Sequence, residues 1–433
     1  MKYYLAIDLG ASSGRHIIGY QRENGKIALV EVHRFRTKMD DSADGLVWNI
    51  PRLFKEIKKG IRKAFKRYPV IESLAIDTWG VDYVLINGEK EMPPFYAYRN
   101  QRCQRGADLV HQILPFAEIY QRTGIQYAPF NTLYQMYDDL MQGRLEKATD
   151  YLMLPSYFVY KLTGVKTHEY TQESTGMWLK ATTGDYDWEL LKQLGLPAKL
   201  FGEIKKPGFV VGELLPQVQK EVGGNCPVVL CASHDTGSAF EAVDVPADGI
   251  ILSSGTWSLL GIKSPKPIIN EVSFKANYAN EGGVGYIRFL KNIMGMWIPN
   301  RIREEVGFTQ KYIDQNVPFV EYKATFDVND PSLLSPASMK EAVMALLQDY
   351  PPENNIELLN AVYHSLAQGY QKAIAELAAI TKQKYRSIYV IGGGARNTYL
   401  NKLIGDYTKL KVVALPIEAT ALGNIKVQMK ARP

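Results

Sequence analysis

A chain of 433 residues is too long for one compact core and leads us to expect two domains, and its 46% hydrophobic and 22% charged residues are those of a globular protein. No apolar run is long enough to cross a bilayer and Asp8 interrupts any signal-peptide core, so a cytoplasmic protein with no membrane partner is expected; Cys103, Cys226 and Cys231 are too few and too irregular for a disulfide framework. The formal net charge of +6 is mild and lies largely in Lys55, Lys58, Lys59, Arg62, Lys63, Lys66 and Arg67, spaced as the wet face of a helix, so no nucleic-acid partner is expected.

Taken in order, the chain opens with an apolar run that delivers Asp8, then Gly10, Ala11, Ser12, Ser13 and Gly14 in a tight turn, Arg15, and a second apolar run to Tyr20. This is a strand, a phosphate-sized loop and a return strand, in which glycine admits an anion to the main chain and the serines add donors. Alone, such a sequence serves equally well as an ordinary hairpin. Asn24-Gly25 suggests a type I′ turn into a third strand ending near Phe35, and Leu53, Ile57, Ile61 and Phe65 mark a helix capped by Asn49. Leu74 to Ile76 is a strand ending in Asp77-Thr78-Trp79-Gly80-Val81-Asp82. Two carboxylates and an indole there suit a sugar, and they suit an Asx turn over a core tryptophan equally.

Further helices are expected from Asn131 to Leu140 and from Tyr151 to Leu162, a loop from His168 to Trp178, and strands from Lys205 to Leu215 and Pro227 to Ala232. The last of these is apolar enough to be interior and ends in Ser233-His234-Asp235-Thr236. Asp235 is the leading candidate base, with His234 its rival. A base that takes its proton late in a loose transition state needs no raised pKa. Ile250 to Gly261, around Thr256, reads as a second Ser/Gly/Thr hairpin, and two such hairpins facing each other would pinch a triphosphate between two halves. Asn292 is a candidate cap for a helix running to Glu305, Leu358 to Ala379 is a long amphipathic helix, and Ser387 to Ile391 is a strand running into Gly392-Gly393-Gly394. Three adjacent glycines suggest a nucleotide lying against the main chain. A strand from Lys411 to Leu415 and the segment Glu418 to Gln428 close the chain.

Assembled, these segments resemble the carbohydrate kinases of the glycerol kinase and xylulokinase superfamily (FGGY), and most closely its rhamnulokinase branch. The likeness rests on Asp8 to Arg15, Ile76 to Tyr83, Ser233 to Thr236, Leu252 to Ser258, Asn280 to Gly283, Leu290 to Gly295, the triple glycine with Asn397, and Glu418 to Asn424. The resemblance implies an α/β architecture of two ribonuclease-H-like, actin-like domains around a cleft, spanning 1–239 and 240–433, the second shortened at its end relative to relatives. It also implies ATP-dependent phosphorylation of L-rhamnulose at its 1-hydroxyl. Ala11, Ser12, Ser13, Gly14, Arg15, Thr256 and Gly393 would bind ATP, joined by Asn300, which stands where glutamine is expected. Gly80, His234, Thr236 and Asn292 would contact the sugar beside Trp79 and Asp82, Asp235 would be the base, and Asp8 would support Mg²⁺. The partner is then a small sugar, with the chain a monomer or homodimer. A kinase for fuculose or xylulose, and an actin-like ATPase switch, remain alternatives.

Overall fold

The computed structural model describes residues 1–415 and 418–432. Two six-stranded sheets carry the chain. The first holds β1 (Tyr4–Leu9), β2 (Ser13–Gln21), β3 (Ile27–Arg36), β4 (Ser73–Thr78), β5 (Val210–Glu213) and β6 (Pro227–Val229) in the order β5-β6-β4-β1-β2-β3. Here β1, β2 and β3 form an antiparallel meander, α1 (Ile50–Arg67) crosses over, and β4 returns parallel to β1 with Asp8 opposite Asp77. Asn49 caps α1 by accepting from the Arg52 N–H at 3.1 Å, and Leu53, Ile57, Ile61 and Phe65 are buried on the sheet, as their four-residue spacing predicts.

The second sheet repeats the plan with β7 (Gly249–Ser254), β8 (Trp257–Ser264), β9 (Ala279–Gly282), β10 (Ile287–Met294), β11 (Ser387–Ile391) and β12 (Lys411–Ala414), ordered β9-β10-β8-β7-β11-β12. Again an antiparallel hairpin leads, a long crossover helix intervenes, and β11 returns parallel to β7. The fold is thus the expected duplicated α/β architecture.

Several local expectations are corrected. At Asn24-Gly25 only Gly25 has positive φ, and the Arg22 carbonyl accepts from the Gly25 N–H at 2.9 Å, so the turn is a three-residue connection closed by a left-handed glycine rather than type I′. Residues Asp150–Met153 form a strand paired with Tyr83–Asn87, and the helix begins only at Leu154, with Pro155 in its first turn. His168 to Trp178 is not a surface loop. It is a short strand, a helical turn and a 3₁₀ turn, all buried. Cys231 is a core thiol whose Sγ donates to the Ile76 carbonyl at 3.3 Å.

The largest departure from a simple two-part chain is the last helix. After β12, α2 (Ala419–Ala431) leaves the second sheet and lies on the first. Gln428 Nε2 donates to the Leu5 carbonyl at 3.0 Å, Ser73 Oγ donates to Gln428 Oε1 at 2.7 Å, and Ile425 packs where β2 has only Gly19. Structurally, the end of the chain therefore belongs with the N-terminal lobe.

Candidate active site

Between the sheets lies a cleft of about 410 Å³, lined by both Ser/Gly turns, the ends of β4 and β11, and the start of a helix spanning Asp235–Ala242. The two turns meet, with Ser12 Oγ 3.2 Å from Thr256 Oγ1. Asp8, Ala11, Ser12, Ser13, Arg15, Trp79, Gly80, His234, Asp235, Thr236, Thr256, Asn292 and Gly393 all reach this cleft. Thirteen residues scattered over most of the chain thus line a single cleft.

Three expected contacts fall elsewhere. Asp82 is buried, and its carboxylate is used up inside the fold, accepting from Trp48 Nε1 at 2.6 Å, Trp79 Nε1 at 2.8 Å and Gln135 Nε2 at 3.4 Å. It holds the Trp79 ring at the cleft wall rather than touching a ligand itself, and burial pushes its pKa up to about 6. Gly14 is not in the lining, and a Cβ there would run into the Phe35 ring at 2.3 Å, so the glycine serves packing. Asn300 lines an adjoining cavity that shares Ala11, Ser12 and Thr256 with the cleft. Asn292 lies within β10 and caps no helix. Its Oδ1 is buried, has no hydrogen-bond partner, and belongs to a side chain at the cleft, which suits a hydroxyl donor from a ligand.

Asp235 is the first residue of its helix. Its side chain is 28% exposed, to the cleft, and Oδ1 accepts from the Thr236 N–H at 2.6 Å and Thr236 Oγ1 at 3.1 Å. Partial burial raises its pKa, and His234 and the Thr236 donors pull it back. Asp8 and Asp77 sit side by side behind it. Burial raises the pKa of both: in Asp8 the nearby Arg15 works against it, and in Asp77 the Asp8 charge adds to it. Arg15 Nη2 donates to Asp8 Oδ2 at 2.5 Å and Nη1 donates to Glu418, while Asn424 Nδ2 of α2 donates to Asp77 Oδ2 at 2.5 Å. Asp77 Oδ1 has no partner. Asp8 and the unpartnered Asp77 Oδ1 are hard-oxygen donors at this end of the cleft, but no group of three or more side chains among the described residues is arranged to hold a metal ion by itself.

The triple glycine divides its work. Gly392 has φ +82° and Gly394 leaves room for Ser254 Oγ, which would stand 2.0 Å from a Cβ, whereas Gly393 faces open space in the cleft. Only Gly393 fits the expectation of a backbone bared for a ligand.

Sequence reasoning missed the residues that hold His234 and Asp235 in place. Glu169 Oε2 accepts from the Ser233 N–H at 3.2 Å and Thr171 Oγ1 at 2.6 Å, and Thr171 Oγ1 accepts in turn from the His234 N–H at 3.1 Å. Gln172 Nε2 donates to the carbonyls of Thr78, Trp79 and Ser233 at 3.2, 3.2 and 3.0 Å, stapling the end of β4 to the Ser233 segment. Burial pushes the Glu169 pKa up to about 7. The sequence signal was faint: a polar run without period, ahead of no obvious element.

Comparison with known proteins follows the same lines. The chain is 40% identical to a rhamnulokinase of Halalkalibacterium halodurans over 440 aligned positions, covering 100% of this chain and 94% of that protein. It is 39% identical to a rhamnulokinase of Oceanobacillus iheyensis, covering 99% and 93%. Among solved structures it superposes on a ligand-bound xylulose kinase from Lactobacillus acidophilus with TM-score 0.81 at 17% identity, covering 100% and 89% of the two chains. It superposes on a Plasmodium falciparum glycerol kinase with ADP with TM-score 0.76 at 12% identity, covering 100% and 90%. The N-terminal domain of the FGGY family of carbohydrate kinases matches residues 3–240 and its C-terminal domain residues 250–432, and this chain belongs to that family.

Proposed function

We propose that this protein transfers the γ-phosphoryl group of ATP to the 1-hydroxyl of L-rhamnulose. The observation that carries the reading is the placement of the Asp235 carboxylate in a cleft pinched by two Ser/Gly turns, in a chain about 40% identical along its length to proteins named rhamnulokinase. The two turns, through Ser12, Ser13 and Thr256, grip the polyphosphate; Gly393 lets the nucleotide lie against the main chain. The ketose lies beside Trp79 and Gly80, with Asn292 Oδ1 accepting from one of its hydroxyls. As the sugar oxygen bonds to the γ-phosphorus and the bond to the β-phosphate oxygen breaks, Asp235 takes the hydroxyl proton and ADP leaves.

Mg²⁺ would be carried in on the polyphosphate and supported by Asp8, with no protein cage of its own among the described residues, and would supply charge neutralisation for the polyphosphate. The Arg15 guanidinium favours the ionised form of Asp8, against the stronger upward push of burial. Closure of the lobes excludes water and limits hydrolysis of ATP. No helix among the described residues is long and apolar enough to cross a membrane. A panel of ketoses assayed with ATP, with the product position identified, tests the reading. L-rhamnulose phosphorylated at its 1-hydroxyl supports it, and preferential turnover of fuculose or xylulose rejects this substrate.

A further inference from the structure

A buried charge cluster beside the base is left over by the mechanism above. Arg288, on β10, is wholly buried. Its Nε donates to the Gly282 carbonyl at 2.8 Å, its Nη1 lies 3.0 Å from Glu281 Oε2, and its Nη2 lies 3.1 Å from His234 Nδ1. Glu281 Oε2 is 3.2 Å from the same imidazole nitrogen but makes no hydrogen bond there. On the other edge of the ring, His234 Nε2 is 3.5 Å from Asp235 Oδ1, and a Cβ on Gly80 would stand 3.2 Å from it.

Guanidinium has donors only, so the imidazole nitrogen that faces it must present a lone pair. A neutral imidazole whose Nδ1 accepts from Arg288 carries its proton on Nε2, the nitrogen 3.5 Å from Asp235 Oδ1. The only hydrogen bond made to the ring among the described residues, from Arg288, thus selects the tautomer, while Glu281, 3.2 Å from Nδ1, has no hydrogen-bond geometry to it. Burying an arginine against a histidine without a carboxylate would be costly, and Glu281 supplies that counter-charge.

We propose that Arg288, held by Glu281, is a positioning residue for phosphoryl transfer: it fixes His234 with Nδ1 bare and the proton on Nε2, aimed at Asp235 and the incoming hydroxyl. Its bearing on transfer rests on the kinase reading given above, whereas the tautomer itself is independent of any substrate. Because β9 and β10 belong to the second sheet and the Ser233–Thr236 segment to the first lobe, the orientation of the catalytic pair depends on how the two halves seat. With the proton on Nε2, the ring presents its positive edge to Asp235 Oδ1 at 3.5 Å, beside the Thr236 donors that already orient the carboxylate.

The test is imidazole ¹⁵N NMR of the full-length protein, whose six histidines are sorted by comparison with a His234→Asn variant. The expected His234 signature is an unprotonated Nδ1 and a protonated Nε2; a protonated Nδ1 in the unaltered protein overturns the proposal outright. Arg288→Met is expected to release the tautomer toward Nδ1–H and to lower kcat on the order of 10- to 100-fold, by analogy with the loss of an outer partner of a metal-bound histidine, with KM for the sugar little changed. Arg288→Lys, which keeps a donor, should restore much of both. In the His234→Asn background Arg288→Met should cost almost nothing more, whereas an equal loss in both backgrounds would mean that Arg288 acts merely as a structural prop. An unaltered protein that shows the expected tautomer but does not phosphorylate L-rhamnulose would sink the substrate reading and leave the tautomer assignment standing. If Arg288→Met does not fold, the NMR signature of the unaltered protein and the lysine variant decide the question.

Discussion

Gly423 lies on α2 where that helix crosses the Asp235–Ala242 helix, and a Cβ built there would stand 1.7 Å from the Ser238 carbonyl oxygen and 3.0 Å from the Ala242 nitrogen. Both obstacles are main-chain atoms, so no change of rotamer relieves them. Restoring an ordinary contact of 3.4 Å requires the helices to part by about 1.7 Å. Asp235 begins the displaced helix, one turn before Ser238, and moving a reacting group by about 1 Å costs on the order of 10²-fold in rate. Gly423→Ala is therefore expected to lower kcat about 100-fold. Overpacking costs about 1–3 kcal/mol, and alanine in place of glycine within a helix offsets about 1 kcal/mol of this, so the variant should fold. Steady-state ADP release with ATP and L-rhamnulose reads the rate, and a thermal melt reads the fold. Gly405→Ala is the control, since a Cβ there meets only Val412 Cγ2 at 3.6 Å and the Leu410 carbonyl oxygen at 3.9 Å. It should keep kcat and gain up to about 1 kcal/mol. A Gly423→Ala protein with unaltered kcat would refute the claim that the last helix holds the base in place.

The remaining expectations concern the clamp, the indole support and the cleft. Thr256→Ala removes one half of the Ser12–Thr256 contact and one phosphate donor, so KM for ATP should rise about tenfold, the worth of one or two hydrogen bonds, with KM for the sugar steady; the reverse pattern would move Thr256 to the sugar side. Asp82 has a folded pKa of about 6 against an ordinary value of 3.8, so the folded state binds the extra proton and Asp82's contribution to stability falls as pH rises from about 4 to 6. Asp82→Asn should abolish that portion of the slope in denaturant titrations run across this range, and an unchanged slope would show that Asp82 is not the group responsible. Asn292→Ala leaves the Gln126 contacts to the main chain of residue 292 intact while removing the unpartnered Oδ1, so KM for the ketose should rise more than KM for ATP.

How much of this was legible in the sequence depends on how local the signal is. The two Ser/Gly hairpins, the four-residue rhythm of α1 and the strand before the triple glycine were legible because turn chemistry and periodicity act within a dozen residues. His168 to Trp178 was misread for a physical reason. Its polar residues are buried because they satisfy one another and the Ser233 segment, and a polar run without period looks like a loop. Asp82 was misassigned because a carboxylate beside an indole suits a sugar as well as it suits an indole N–H, and only coordinates separate the two. Arg288 gave no signal, and Glu281 entered only within the Asn280 to Gly283 likeness with no role of its own, since nothing local tells which charge in a strand will be buried. The docking of α2 on the first sheet joins residues about 420 positions apart, as Leu5 and Gln428 do, and no local pattern specifies such a contact.

The most direct test of the account is Asp235→Asn. Equilibrium titration should show L-rhamnulose and ATP binding within a few-fold of the unaltered protein, because Asn292, Trp79 and the two turns are untouched, while single-turnover phosphoryl transfer falls by about 10²–10⁴-fold. Transfer that persists at the original rate once the complex has formed, with the loss confined to sugar binding, would take the proton-accepting role away from residue 235.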